Sequence, residues 1–494
     1  MKSGYHHIGI HKDDQKFLGF SWPDEKGVMK HYVFAALPFG LSSAPFIFTK
    51  VFRPILSFLR KRGIACALYL DDGLIWASTF SACEEAIALV KVTLKRAGVV
   101  IQEEKSVLIP VKKLTWLGME IDLERSVMAP TDKRIEKIKD ALKNVKKKYP
   151  TVKERLKLTG LIASLWVVLG PKASVFTKAI HRSVIAFRSL DERIPLIEEE
   201  LKEILLIENL MNRPCLRSLL PPKTVFTFHT DASAFALGVV SQNKESFSRP
   251  LTDFERVQSS TYRELAGVLF GLQCFKDQII GSEVHVYTDN QNVVPILRKG
   301  SMKSLLNQLT IEICGFLEYI NSTLISHWIP REENTLADKA SRIPDKDDWS
   351  ILPHIFERVI DKLGLAHVDR FASCVNAKLP RFNSVVPSPG SEAVDAFTEE
   401  WKGVVNYCVP PIDLLYPTVT FILKGQYPAI LGFPDWPTLP IYPLLKTEKG
   451  RWKDFISSEF RINKGAWFLS PASHGPSMFD SPFLKSDFVF LRLF

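Results

Sequence analysis

The sequence predicts a multidomain chain of mixed α+β and α/β type, and three observations carry that expectation. Its 494 residues are 46% hydrophobic and 24% charged, a globular composition with length for roughly three domains of ~150 residues. The apolar run Ile64–Leu70 ends at Asp71-Asp72-Gly73 and restarts at Leu74, which reads as a β-hairpin with Asp-Asp-Gly at its turn. Between 223 and 345, strand-like and helix-like segments alternate, the pattern of a mixed sheet covered by helices.

Taken in order, Phe17–Trp22 and Tyr32–Ala36 read as paired strands across Pro-Asp-Glu-Lys-Gly. Leu37-Pro38-Phe39-Gly40-Leu41 is a breaker-rich loop, and Ser42 or Ser43 can cap the helix that runs through Phe58. Beyond the hairpin, Ser81-x-x-Glu84 has the form of a capping box, with Ile87, Val90 and Leu94 on one helical face and Gly98 as the stop. A further strand pair falls near Leu114–Asp122. From 130 to 160, Ile135, Ile138, Leu142 and Val145 recur at helical spacing, while Lys133, Lys137, Lys139, Lys143 and Lys146–Lys148 crowd the other faces. That basic side is either a solvated face or a surface that follows a phosphate backbone.

Pro221-Pro222 marks a boundary. Val225–Thr230, Phe235–Ser241, Val284–Thr288 and Leu324–Ile329 have strand character, a helix covers Thr261–Phe275, and a last short helix opens near Asn334. After 346 the chain is rich in proline and aromatics, and long helices are not expected beyond about 405.

Net charge is +10, which favours a polyanionic partner. The seven cysteines are scattered without paired spacing, which excludes neither function nor fold but speaks against a zinc site or disulfide framework and suits a reducing compartment. The longest apolar stretch, Leu161–Leu169 broken by Ser164, is short of the ~20 residues of a membrane span, and the N-terminus lacks a signal-peptide core. The expectation is an intracellular chain of cytoplasm or nucleus, without a membrane partner.

Adjacent carboxylates repel, and a divalent cation removes the repulsion; alone, Asp71-Asp72 is also compatible with a solvated turn. Context supplies the rest. Thr230-Asp231-Ala232-Ser233, Tyr262-Arg263-Glu264-Leu265-Ala266, Thr288-Asp289-Asn290 and Leu336-Ala337-Asp338-Lys339-Ala340-Ser341-Arg342 resemble, in order, the four metal-binding segments of retroelement RNase H domains. The resemblance implies that Asp231, Glu264, Asp289 and Asp338 hold two Mg²⁺ ions (or Mn²⁺) for RNA-strand hydrolysis of an RNA–DNA hybrid. Where cellular RNases H carry a loop histidine, this chain has Pro330-Arg331-Glu332-Glu333-Asn334; His327 lies upstream and reads as structural.

Tyr69-Leu70-Asp71-Asp72 then resembles the metal-binding hairpin of a reverse transcriptase. Leu37–Pro45 resembles the loop and helix that contact template and incoming nucleotide, which implies Phe39, Gly40 and Tyr69 as contacts. Glu104-Lys105-Ser106 matches the segment whose lysine is a candidate general acid for pyrophosphate, and Trp116-Leu117-Gly118 resembles the primer-grip turn. By the same resemblance Lys139 and Lys143 face nucleic acid, and the partners are an RNA template, a DNA primer, an RNA–DNA hybrid and deoxynucleoside triphosphates. Lys2-Ser3-Gly4-Tyr5-His6-His7 resembles the family segment Asp-Leu-Lys-Ser-Gly-Tyr-His, with Met1 at the leucine position. The third polymerase carboxylate would fall immediately before Met1. The expectation is an N-terminally truncated polymerase, either a truncated element or a frame begun at an internal methionine.

Val368-Asp369-Arg370-Phe371-Ala372-Ser373, Pro380-Arg381-Phe382, Ala393–Phe397 and Pro434-Asp435-Trp436-Pro437 resemble the region after RNase H in retrotransposons of the DIRS group. Asp369 and Asp395 read as loop caps or ion-pair partners rather than a third metal site. The expected organisation is a partial reverse-transcriptase palm at 1–125, a helical thumb and connection at 126–222, an RNase H-like mixed sheet with helices at 223–345, and a Pro/aromatic-rich C-terminal region at 346–494. Two narrower readings stay open: a chain in which only RNase H is active, and a non-catalytic fragment that binds nucleic acid.

Overall fold

The computed structural model describes residues 4–187, 189–222, 224–342, 350–470 and 482–494. Lys2 and Ser3 of the N-terminal motif and the boundary residues 223 and 343–345 lie outside them. Two compact units emerge: Met1–Ala141 with Asn209–Leu220, and Leu142–Glu208 with Pro221–Phe494. The chain is mixed α+β throughout, and among the described residues no helix is long and apolar enough to cross a membrane.

In the first unit, strands Gly19–Pro23 and Met29–Val33 pair antiparallel with Phe20 opposite Tyr32. The second strand lies three residues earlier than its apolar run suggests. Asp24 accepts from the amides of Lys26 and Val28, which closes the turn early and pulls Met29 into register with Pro23. The helix Ala44–Lys61 buries Phe48, Phe52 and Leu59, apolar positions spaced four and seven apart along one face. Ser43 stands at its N-cap without a side-chain bond, and a proline occupies the first turn instead, where a missing N–H costs nothing. The helix Phe80–Arg96 is capped by Thr79, which accepts from Ala82 N. Ser81 therefore sits inside the helix and its capping box does not form, because Thr79 reaches the open amide first. Gly98 follows the helix at φ 74°, as its sequence position suggests.

Strands Lys113–Trp116, Met119–Asp122, Val127–Pro130 and Arg217–Ser218 form an antiparallel sheet. The basic helix Asp132–Val145 buries Ile138, Ala141, Leu142 and Val145 and leaves Lys133, Lys137, Lys139 and Lys143 exposed.

The second unit opens with helices. Val152–Ala163 starts at a formed capping box between Thr151 and Glu154. Arg155, fully buried, pairs with Glu200 at 2.8 Å and also donates to the carbonyls of Pro150, Ile194 and Pro195. A five-stranded sheet follows in the order Ser246–Pro250, Ala236–Ser241, Val225–Ala232, Glu283–Thr288 and Thr323–Trp328. The first three strands are antiparallel and the last three parallel. The edge strand Ser246–Pro250 has too little apolar alternation to be evident in the sequence. Helices Ser260–Cys274 and Ser304–Tyr319 close one face over Phe228, Leu237, Val239, Val284 and Val286.

The C-terminal residues form a second five-stranded sheet, ordered Val368–Asp369, Asn406–Cys408, Ala429–Pro434, Phe488–Leu493 and Ile456–Ile462. An eleven-residue helix, Leu415–Gly425, connects two of its parallel strands. Proline-rich composition argues against such a helix, but Pro417 lies in its first turn, where no intrahelical donor is needed. Trp401, Phe433, Phe488 and Phe490 are buried here, so the aromatic richness is core. Asp395 accepts from Phe397 N as a cap, and Asp369 is buried and accepts from Lys378 N at 3.0 Å.

Candidate functional site

Strand Val225–Ala232 places Asp231 at its carboxyl end, helix Ser260–Cys274 places Glu264 in its first turns, and Asp289 follows strand Glu283–Thr288. The three acids offer ligand oxygens that all lie within 4.8 Å of one another. This convergence depends on close approach. A Cβ on Gly267 would lie 2.5 Å from Thr230 Oγ1, and one on Gly238 would lie 2.2 Å from Ser341 N. The two glycines let the Glu264 helix and the final helix Thr335–Arg342 seat directly on the strands.

Asp231 and Glu264 are both buried. Glu264 Oε1 accepts from Ala232 N at 3.3 Å, while Oε2 is buried without a hydrogen-bond partner. Burial, and then the charges of Asp231 and Asp289, push the Glu264 carboxyl up to about 9. Burial also raises Asp231, against a hydroxyl donated by Ser341 Oγ to Oδ2 at 2.5 Å. Three carboxylates packed this tightly, one with an orphaned buried oxygen, fit a hard divalent cation with oxygen ligands.

The fourth acid stands apart from the three. Asp338 Oδ1 accepts from Arg342 at 2.8 Å and from Arg331 at 3.2 Å. The loop that presents Arg331 is anchored at both sides: Ile329 N donates to Thr288 O, and Asn334, itself buried, donates to Thr230 O. The sequence reading missed Ser341 and Asn334. Both lie in or beside quoted motif segments, but a hydroxyl and an amide carry no charge signal. His327 stacks on Tyr287 and His285 on the sheet face, a structural role.

The hairpin of the first unit differs from its reading. Tyr69 pairs with Asp72 and Leu68 with Gly73, so the turn residues are Leu70 and Asp71, with Leu70 at φ 52°. Asp72 and Gly73 belong to the second strand, since a two-residue loop is the shortest closure. Both aspartates are exposed at the tip, as are Phe39, Gly40, Tyr69 and Lys105. A Cβ on Gly4 would lie 3.2 Å from Asp71 Cβ, so Gly4 packs against the hairpin. Trp116 and Met119 pair across a turn of Leu117 and Gly118, both at positive φ, and Arg134 donates to Leu117 O at 3.0 Å. Among the described residues, Asp71 and Asp72 do not join a group of three acids.

Residues 1–121 match the family model described as reverse transcriptase (RNA-dependent DNA polymerase), and residues 198–286 match that of the RNase H-like domain found in reverse transcriptase. The chain thus carries a reverse transcriptase domain and an RNase H-like domain. It is 26% identical over 366 residues to the retrovirus-related Pol polyprotein from transposon opus of Drosophila melanogaster, covering 70% of this chain and 34% of that protein. The Pol polyprotein from transposon gypsy of the same organism is 24% identical over 354 residues, 69% of this chain and 32% of that one. These are the domains of a retrotransposon Pol polyprotein, and the chain spans about a third of the length of these relatives. A solved foamy viral protease-reverse transcriptase in complex with RNA/DNA hybrid is 20% identical with a TM-score of 0.38, covering 74% of this chain and 47% of that one.

Proposed function

We propose that the chain is a polyprotein segment whose RNase H-like domain hydrolyses the RNA strand of RNA–DNA hybrids with two Mg²⁺ ions, or Mn²⁺. The observation that carries this reading is the convergence of Asp231, Glu264 and Asp289, whose ligand oxygens lie within 4.8 Å of one another, with Glu264 Oε2 buried and unpaired. Asp231, Glu264, Asp289 and Asp338 would hold the ions. Bound there, the metal supplies charge to activate water and to stabilise the leaving oxygen. Ser341 keeps Asp231 oriented, and Asn334 ties the Arg331 loop to the strand that bears it.

The first unit supports a copying role from RNA template to DNA. In this reading Asp71 and Asp72 hold metal, Lys105 protonates pyrophosphate, and Phe39, Gly40 and Tyr69 meet template and deoxynucleoside triphosphate. Trp116 and Gly118 hold the DNA primer, and Lys139 and Lys143 follow the phosphate backbone. A narrower reading, RNase H alone, is favoured by the acid convergence in the second unit. The segments Val368–Ser373, Pro380–Phe382, Ala393–Phe397 and Pro434–Pro437 support placement in the DIRS group by their resemblance to its region after RNase H.

The test is hydrolysis of a labelled RNA–DNA hybrid by the purified chain, alongside primer extension on an RNA template. Asp231→Asn should abolish hybrid cleavage, and Asp71→Asn should leave it intact. Cleavage that survives Asp231→Asn removes the RNase H assignment.

A further inference from the structure

Three acids converge while the fourth, Asp338, is held by two arginines. The two differ in placement. Arg342 lies one turn along the same helix as Asp338 and forms an ordinary i,i+4 pair. Arg331 comes from the anchored loop between Ile329 and Asn334. Its guanidinium reaches Asp338 Oδ1 at 3.2 Å from that loop, across from the helix that carries the acid. Its side chain is 64% exposed, and an exposed pair of this kind is worth little and breaks readily.

We propose that Arg331 is a positioning residue that competes with the second divalent cation for Asp338, so that the site fills in order. This rests on the metal-nuclease reading above. The triad Asp231, Glu264 and Asp289 takes the first ion without displacing any cation. The second ion needs Asp338, whose Oδ1 is shared with Arg331 and Arg342, so a cation arriving there competes with the guanidinium from the loop. With that oxygen released, the guanidinium is free to swing towards solvent or towards a phosphate of the bound strand. Loop anchoring matters here: Asn334 is 1% exposed, so the backbone keeps Arg331 within reach of Asp338 and makes release reversible.

The experiment is Mn²⁺ binding, followed as free Mn²⁺ by electron paramagnetic resonance, on the full chain carrying Asp71→Asn and Asp72→Asn so that the palm acids do not contribute. Two steps are expected, one tight and one weak. Arg331→Gln should tighten the weak step about three- to tenfold, the scale of one unit charge removed near a partly exposed site, and leave the tight step unchanged. Arg331→Lys, which keeps the charge, should stay near the parent. Asp338→Asn should remove the weak step alone. An unchanged or weakened second step in Arg331→Gln overturns the proposal while leaving the nuclease reading in place. A tight step that persists in Asp231→Asn, or the absence of binding in the parent, overturns the nuclease reading itself. Thermal unfolding of each variant shows that the exposed substitutions leave the fold intact.

Discussion

Ser341 donates its hydroxyl to Oδ2 of Asp231 across 2.5 Å, although the two residues are 110 positions apart. The bond ties the helix Thr335–Arg342 to the strand that presents Asp231. It also fills one acceptor site of that carboxylate and so restrains its rotation.

Ser341→Ala should therefore weaken divalent-cation binding by about tenfold without removing an acid, the usual scale for loss of a group that orients a metal ligand. Calorimetric titration with Mn²⁺ checks it. Unchanged affinity would show that packing of the helix, rather than this bond, holds Asp231 in place.

Gly238→Ala replaces no acid and no charged residue, although Gly238 pairs with Asp231 across the strands. Its Cβ would lie 2.2 Å from Ser341 N and 2.8 Å from Ala337 O, which are backbone atoms that cannot rotate away. The final helix must lift off the sheet, with a stability loss of about 3 kcal/mol and loss of hybrid cleavage because Asp338 and Ser341 move together. Denaturant unfolding and the cleavage assay should change in parallel.

The Arg155–Glu200 pair is fully buried, and Ser183 Oγ and Ile197 N complete the carboxylate's partners. Arg155→Ala strands a buried charge and should cost about 3–5 kcal/mol. The double replacement Arg155→Met with Glu200→Leu should cost clearly less than the single one. Urea midpoints of the three proteins decide this.

Burial raises the Glu203 carboxyl to about 7, against amides donated by Ala179 and Ile180. Its folded value lies above the ordinary carboxylate range, so the native state holds a proton that the unfolded state has released. The associated stability is present in full below pH ~4.5 and is lost as pH rises through 7, with a scale on the order of 3 kcal/mol. Thermal midpoints should fall between pH 5 and 8, and Glu203→Gln should flatten that part of the profile.

Local chemistry explains what could be read ahead of the structure. Helix Ser260–Cys274 and the strands around it follow from apolar spacing, which acts within a few residues, while its cap at Ser259 emerged only in the structure. Where two local signals competed, as between Thr79 and Ser81, or between an Asp-Asp-Gly turn and a Leu70-Asp71 turn, geometry at the neighbouring strand or helix chose. The Pro/aromatic tail read as irregular because its core residues, Trp401 and Phe490 among them, pair across long separations.

By itself the sequence determined which acids this protein carries, at which element ends, and hence the kind of domains it contains. Only the tertiary structure decided that Asp231, Glu264 and Asp289 share one buried spot while Asp338 is engaged by Arg331 and Arg342. The reason is physical: charge type and periodicity are written residue by residue, but burial, the clearance above Gly238 and the choice of counter-ion depend on distances between segments a hundred residues apart.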